Sequence, residues 1–222
     1  KNIFVALDFN SLEKALDITK KLKDYIGGVK ITNELFAICG KEGLKKFSDL
    51  GVEIFLDLKV LDIPNTVNKT VSAIASLKSI KYLTVHTSGD YEMLKSAQDA
   101  TDGSLELLGV TVLTSQVNLQ GVGIKNNINN QIKLLVNLAI KAKLSGVIAS
   151  AQDIKLVRSL SNDIKIFSPG IRSSEAKQDQ KRVMSYADFS KIADDKCFAV
   201  IGRPIIEGDP VQNIKKIIQS AK

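Results

Sequence analysis

The chain has 222 residues, 44% of them hydrophobic, with 31 Lys and Arg against 24 Asp and Glu for a net charge of +7. That apolar content supports a sizeable core and excludes intrinsic disorder, while no apolar run approaches the roughly 20 residues that a membrane helix needs. Cys39 and Cys197 lie far apart without CxxC or metal-ligand spacing, so they read as reduced thiols and not as a disulfide or zinc framework.

From the start, Lys1-Asn2 leads straight into a strand pattern without the regions of a secretory signal, so the expectation is a soluble, cytoplasmic protein. Short apolar, β-branched segments then alternate with amphipathic ones throughout. Strands are predicted at 3–8, 28–32, 53–59, 82–86, 105–114, 146–150, 164–168 and 198–202. Between them run helical patterns such as Ser11-Leu12-Glu13-Lys14-Ala15-Leu16, which opens on an N-cap serine. No linker or low-complexity stretch interrupts the alternation. The pattern therefore predicts a single α/β domain over residues 1–222, a (β/α)8 TIM barrel in preference to an open doubly wound sheet. The absence of GxGxxG after the first strand supports that choice.

In such a barrel, chemistry collects at the C-terminal ends of the strands. Strand one ends in Asp8, strand two carries Lys30, and strand three ends in Asp57-Leu58-Lys59. Period-two alternation puts Phe55, Asp57 and Lys59 on one face and Ile54, Leu56 and Leu58 on the other. The outer face must be apolar to meet the helices, so Asp57 and Lys59 are predicted to point into the barrel mouth. Charges there must be paired. One reading is an ion-pair network that merely closes the barrel; the other is a functional array. A lysine held among carboxylates is favoured in its charged form, a candidate acid or electrostatic stabiliser and not a base.

The segment Asp57-x-Lys59-x-x-Asp62-Ile63-Pro64-Asn65-Thr66 resembles the signature of the orotidine 5'-phosphate decarboxylase family, with Asp8 and Lys30 at matching strand ends. The resemblance runs over essentially the whole chain. It continues through Val110-Thr111-Val112-Leu113-Thr114-Ser115, Ser168-Pro169-Gly170-Ile171-Arg172, Asp179-Gln180-Lys181-Arg182 and Ile201-Gly202-Arg203-Pro204, in the manner of the bacterial-type branch. It implies that orotidine 5'-monophosphate is converted to UMP without cofactor or metal. In that scheme Lys59 protonates C6, Asp57 lies beside the departing carboxylate, and Lys30 and Asp8 hold the ribose and complete the charge array. It further implies a homodimer in which Asp62 and Thr66 reach into the neighbouring subunit's site. Chemically, loss of CO2 leaves an sp2 carbanion with no electron sink, which a fixed ammonium can stabilise and then quench.

Near the C terminus, Gly202 and Arg203 fall between the last strand and helix, where a barrel's usual phosphate site is built and where an arginine offers bidentate contacts. An arginine salt-bridged at a helix start is the alternative. The polar stretch 169–186 is predicted to be a lid, beginning at Pro169. By resemblance it closes over phosphate and pyrimidine through Gln180 and Arg172, although Ser173-Ser174-Glu175-Ala176-Lys177 departs from the family's small-residue stretch. Thr114 and Ser115 end strand five, facing the pyrimidine edge or forming an ordinary turn. His86, the one histidine, ends strand four and is expected to pack beneath the site without catalysing, since the reaction needs no base.

Two readings compete. Hexulose-phosphate synthases and ketogulonate-phosphate decarboxylases also carry an Asp-x-Lys-x-x-Asp strand but use Mg2+, and the Ile63-Pro64-Asn65-Thr66 continuation with Asp179-Gln180 speaks against them. A basic RNA-binding module fits the charge alone. The lysines are scattered without interleaved aromatics, so no nucleic-acid partner and no membrane partner is expected.

Overall fold

In the computed structural model, which describes residues 2–172 and 182–221, eight parallel strands close into a barrel in sequence order. They are β1 (Ile3–Leu7), β2 (Gly28–Ile31), β3 (Glu53–Val60), β4 (Tyr82–His86), β5 (Glu106–Val110), β6 (Gly146–Ile148), β7 (Lys165–Ser168) and β8 (Cys197–Ile201). β1 seals the ring, Val5 standing opposite both Val29 of β2 and Ile201 of β8. Around it lie α1 (Leu12–Leu22), α2 (Asn33–Ser48), α3 (Pro64–Ala75), α4 (Asp90–Asp99), α5 (Ile128–Lys141), α6 (Ile154–Arg158), α7 (Tyr186–Ile192), α8 (Arg203–Ile206) and α9 (Pro210–Gln219). Among the described residues, no helix is long and apolar enough to cross a membrane.

Local sequence explains where the helices start. The Ser11 hydroxyl accepts from the Lys14 N–H and the Thr32 hydroxyl from the Leu35 N–H, capping α1 and α2. Asp209 caps α9 through the N–H groups of Val211 and Gln212, with Pro210 in the first turn where its missing N–H costs nothing. In α1 the buried face is Ala15, Thr19 and Leu22, at helical spacing.

Strand alternation divides the core into two shells. Val5, Val29, Ile54, Leu56, Leu83, Val85, Leu107, Val147 and Ile166 point outward and meet the helices. Phe4, Phe55, Tyr82, Leu108, Phe167 and Val200 point inward and fill the barrel. Phe4 sits edge-on to Phe55, Tyr82 and Phe167, with ring centroids 5.2 to 6.3 Å apart. Each such buried ring contributes about 1.5–3 kcal/mol, so the interior is a packed plug and not a pore. Gly28 makes room for it, because a Cβ there would lie 2.5 Å from a Phe4 ring carbon and 2.4 Å from the Glu53 carbonyl. Below the aromatic layer Glu106 accepts from Lys81 at 2.8 Å and Lys165 at 2.5 Å, closing the N-terminal end.

At the other end β4 and β7 stop where expected and β3 runs one residue further, but β1, β2, β5, β6 and β8 are shorter than predicted. β1, β6 and β8 stop before Asp8, Ala149 and Gly202, so these residues open the loops above the barrel. The largest departure is β5, expected to run to residue 114 but ending at Val110. The run Val110-Thr111-Val112-Leu113-Thr114 has strand composition, but β6 offers no pairing beyond Ile148. The Ile148 carbonyl receives both the N–H and the hydroxyl of Thr111, at 3.2 and 2.7 Å, while the Ala149 N–H turns away to Phe167. The freed chain bends at once, with the Gln116 N–H on the Leu113 carbonyl.

Candidate active site

A cavity of about 350 Å3 opens at the C-terminal mouth of the barrel, within the range of small-molecule sites. Its walls include Asp8, Lys30, Asp57, Lys59, Thr114, Ser115, Pro169, Arg172, Gly202 and Arg203, and its floor is Ala6, Phe55 and Val200. These residues come from six strands or the loops after them, brought together by closure of the ring.

At one wall Asp57 is the organising group. Its Oδ2 accepts from the Lys59 ammonium at 2.8 Å and from the Lys30 ammonium at 3.1 Å, and its Oδ1 accepts from the Thr84 hydroxyl at 2.9 Å. Burial pushes the Asp57 carboxyl up, but the two ammoniums more than offset it and hold the group below the usual carboxylate range. Within the single chain, then, one carboxylate lies between two lysines, where the sequence led to the expectation of a lysine between acids. Asp8 is exposed beyond the end of β1, and neither it nor Asp62 pairs with a lysine among the described residues. Lys30 and Lys59 against Asp57 leave one net positive charge at the wall, suited to an anion.

A break in register produces this geometry. Leu56 pairs with Leu83 and Val60 with Val85, so β3 carries two more residues than β4 over the same span. The bulge places Lys59 at φ 51°, an uncommon conformation for a side-chain-bearing residue. Side-chain alternation nonetheless continues through it, with Leu58 and Val60 packed outward and both Asp57 and Lys59 facing the cavity.

Gly202 and Arg203 line the cavity from the segment that follows β8. A Cβ on Gly202 would lie 3.2 Å from the Asp8 carboxylate and 3.4 Å from Ala6 Cβ, so glycine lets β8 end close against β1. Thr114 and Ser115 sit in the turn after β5 and not at a strand end. Asp62 and Thr66 do not line the cavity; both are exposed, at the entry to α3. Gln180 and its neighbours 173–181 lie outside the described residues. The two arms of the loop meet in a bridge, where the Arg172 N–H donates to the Met184 carbonyl and the Met184 N–H to the Gly170 carbonyl.

His86 ends β4 without lining the cavity, half-buried with Nδ1 3.2 Å from the Ser88 hydroxyl. Burial and then the Lys59 charge hold it below the usual histidine value, although Asp57 opposes them. Cys197 is buried and Cys39 half-buried, both as free thiols. Among the described residues, no three His, Cys, Asp or Glu side chains gather as a metal-ligand set.

Thr84 escaped the sequence reading, and Arg182 entered it only as part of a motif, without a role. Thr84 is a polar residue on the inward face of β4 between Tyr82 and His86, a signal that alternation alone exposes. Arg182 is buried at the return of the 169–186 loop, donating to Asp153 at 2.7 Å and to the Val112 carbonyl at 3.0 Å, while its N–H reaches the Thr114 carbonyl at 3.3 Å. It ties the segments after β5, β6 and β7 together. Burial pushes the Asp153 carboxyl up, and the guanidinium only partly offsets that.

A paired lysine–carboxylate array and an arginine lining one cavity at the mouth of a (β/α)8 barrel define an enzyme class that acts on small anionic substrates. Comparison with known proteins specifies it. Residues 1–217 match the family model described as "Orotidine 5'-phosphate decarboxylase / HUMPS family", and the chain belongs to that family. A protein of Ehrlichia chaffeensis named orotidine 5'-phosphate decarboxylase is 42% identical over 224 residues, covering 98% of this chain and 96% of its own length. A protein of the same name from a Wolbachia of Culex pipiens is 40% identical, with 98% and 97% covered. The crystal structure of orotidine 5'-phosphate decarboxylase from Lactobacillus acidophilus superimposes with a TM-score of 0.84 at 31% identity, covering 100% of this chain and 99% of that one.

Proposed function

We propose that the protein decarboxylates orotidine 5'-monophosphate to UMP in pyrimidine biosynthesis, as a cytoplasmic enzyme, and that Lys59 supplies the proton. The observation that carries this reading is the Lys59 ammonium fixed 2.8 Å from a buried carboxylate at the cavity wall. In the reaction the C6–carboxylate bond breaks and its electron pair stays on C6. The Lys59 ammonium faces that charge as it develops, then transfers a proton to C6, and the resulting amine regains a proton from water. Asp57 holds Lys59 in place beside the departing carboxylate. Lys30 and Asp8 take the ribose hydroxyls, Thr114 and Ser115 meet the pyrimidine edge, and Pro169 shapes the same end of the cavity. Gly202, Arg203 and Arg172 receive the phosphate, with Gln180 bridging phosphate and base. Every role is filled by side chains or backbone, without cofactor or metal. Adding the protein to orotidine monophosphate should produce the loss of substrate absorbance, undiminished after exhaustive chelation. Activity abolished by EDTA and restored by Mg2+ would instead mark the synthase branch of the family.

The active form in this reading is a homodimer with shared sites. Asp62 and Thr66 turn away from their own cavity, and Leu61 and Ile63, 54% and 65% exposed, flank Asp62 with apolar surface that a second copy would cover. Lys59, with 35% of its side chain exposed, has an open side on which Asp62 of the partner subunit completes the charge array. Lys59→Ala and Asp62→Ala homodimers are each expected to be nearly inactive, and mixing them under subunit exchange should restore activity. Random exchange makes about half the dimers mixed, each with one site intact, so recovery plateaus at about a quarter of the native value. No recovery despite exchange verified by mass would place Asp62 in its own subunit's site.

A further inference from the structure

Asp57 and Lys59 are both held from behind by one side chain. The Thr84 hydroxyl donates to Asp57 Oδ1 at 2.9 Å and accepts from the Lys59 backbone N–H at 2.8 Å. Thr84 is fully buried and does not line the cavity, so it touches no substrate. It stands where β3 carries its two extra residues, between the pairs Leu56 to Leu83 and Val60 to Val85. A bulge leaves backbone groups without their ladder partners, and the Lys59 N–H is such a group, satisfied here by a side chain. The left-handed Lys59 conformation is uncommon and persists only when its surroundings fix it. A single hydroxyl does so while orienting the carboxylate that the Lys59 ammonium contacts from the other side.

We propose that Thr84 is a positioning residue for the decarboxylation, a hydroxyl that closes the β3 bulge and sets Asp57 and Lys59 in register with the reacting carbon. Its donor goes to the Asp57 carboxylate and its lone pair to the Lys59 N–H, a combination that needs a hydroxyl; neither valine nor alanine supplies it. Without it the Asp57 Oδ1 and the Lys59 N–H lose this buried partner, and the bulge is free to relax. Displacing a reacting group by about 1 Å is enough to cost roughly 100-fold in rate.

The inference rests on the decarboxylase reading above, and the test separates the two. Thr84→Val keeps the shape and loses the hydroxyl, whereas Thr84→Ser keeps the hydroxyl and loses the methyl. Steady-state kinetics on orotidine monophosphate should show kcat of Thr84→Val reduced roughly 100-fold with KM little changed, and Thr84→Ser recovering most of it. A packing role would reverse that order, since valine fills the site better than serine. Native-like kcat in Thr84→Val, or a serine variant slower than the valine one, overturns the proposal while leaving the decarboxylase reading intact. Wild-type protein inert toward orotidine monophosphate overturns both. If the valine variant does not fold, Thr84→Ser and Thr84→Ala, both small and differing by the hydroxyl, decide the point: equal kcat refutes the role and a serine advantage supports it.

Discussion

Lys59→Ala is expected to lower kcat by about 10,000-fold or more while leaving the barrel folded. A positioned general acid contributes roughly 10²–10⁴-fold, and a fixed charge aimed at the developing anion about 10²–10³-fold. Lys59 serves both roles at one atom in the proposed reaction, so its removal forfeits both. The structure should tolerate the loss, because Asp57 keeps the Lys30 ammonium at 3.1 Å and the Thr84 hydroxyl at 2.9 Å, and the Lys59 side chain is 35% exposed. Single-turnover absorbance measurements, with circular dichroism as a folding control, would check this. A folded Lys59→Ala variant within tenfold of native activity would remove Lys59 from the proton-donor role and leave the array as an ion-pair closure of the mouth.

Arg203→Ala is expected to cut kcat/KM on orotidine monophosphate by about 3–6 kcal/mol, taking two charge-assisted hydrogen bonds to phosphate at about 1.5–3 kcal/mol each. At about 1.36 kcal/mol per decade, that corresponds to roughly 10²–10⁴-fold. Arg203 lines the cavity from the segment after β8, whereas Asp57 and Lys59 belong to β3, and in the proposed reaction it meets the phosphate and not the reacting carbon. The same substitution should therefore change little on orotidine, which lacks the phosphate. In the proposed reaction, binding energy from the remote phosphate would be used at the reacting end. Equal losses on the two substrates would show that Arg203 supports the fold, as an arginine paired at a helix start would.

The (β/α)8 architecture was legible because its signal is local and repeated. Each strand had to be apolar on its outer face and each helix amphipathic, and these periodicities survive in segments such as Ile54-Phe55-Leu56 and Ala15–Leu22. The same alternation aimed Asp57 and Lys59 into the mouth, where the structure places them. Strand ends were less legible, since a β-propensity run such as 110–114 ends where its neighbour stops offering partners, and that neighbour lies far away in sequence.

What the sequence determined by itself is the frame and the chemical inventory: parallel strands, outer helices, lysines and carboxylates at strand ends, glycine and arginine after the last strand. Only the tertiary structure decided which of those groups meet. Closure of the ring put Lys30 and Lys59 on one oxygen of Asp57 and left Asp8 and Asp62 away from both lysines. It brought the buried Arg182 to Asp153 and Val112, and it set Thr84 behind the β3 bulge. These are pairings across strands and loops whose register depends on insertions and bulges. A one-dimensional pattern records the side chains but not the register that makes them neighbours.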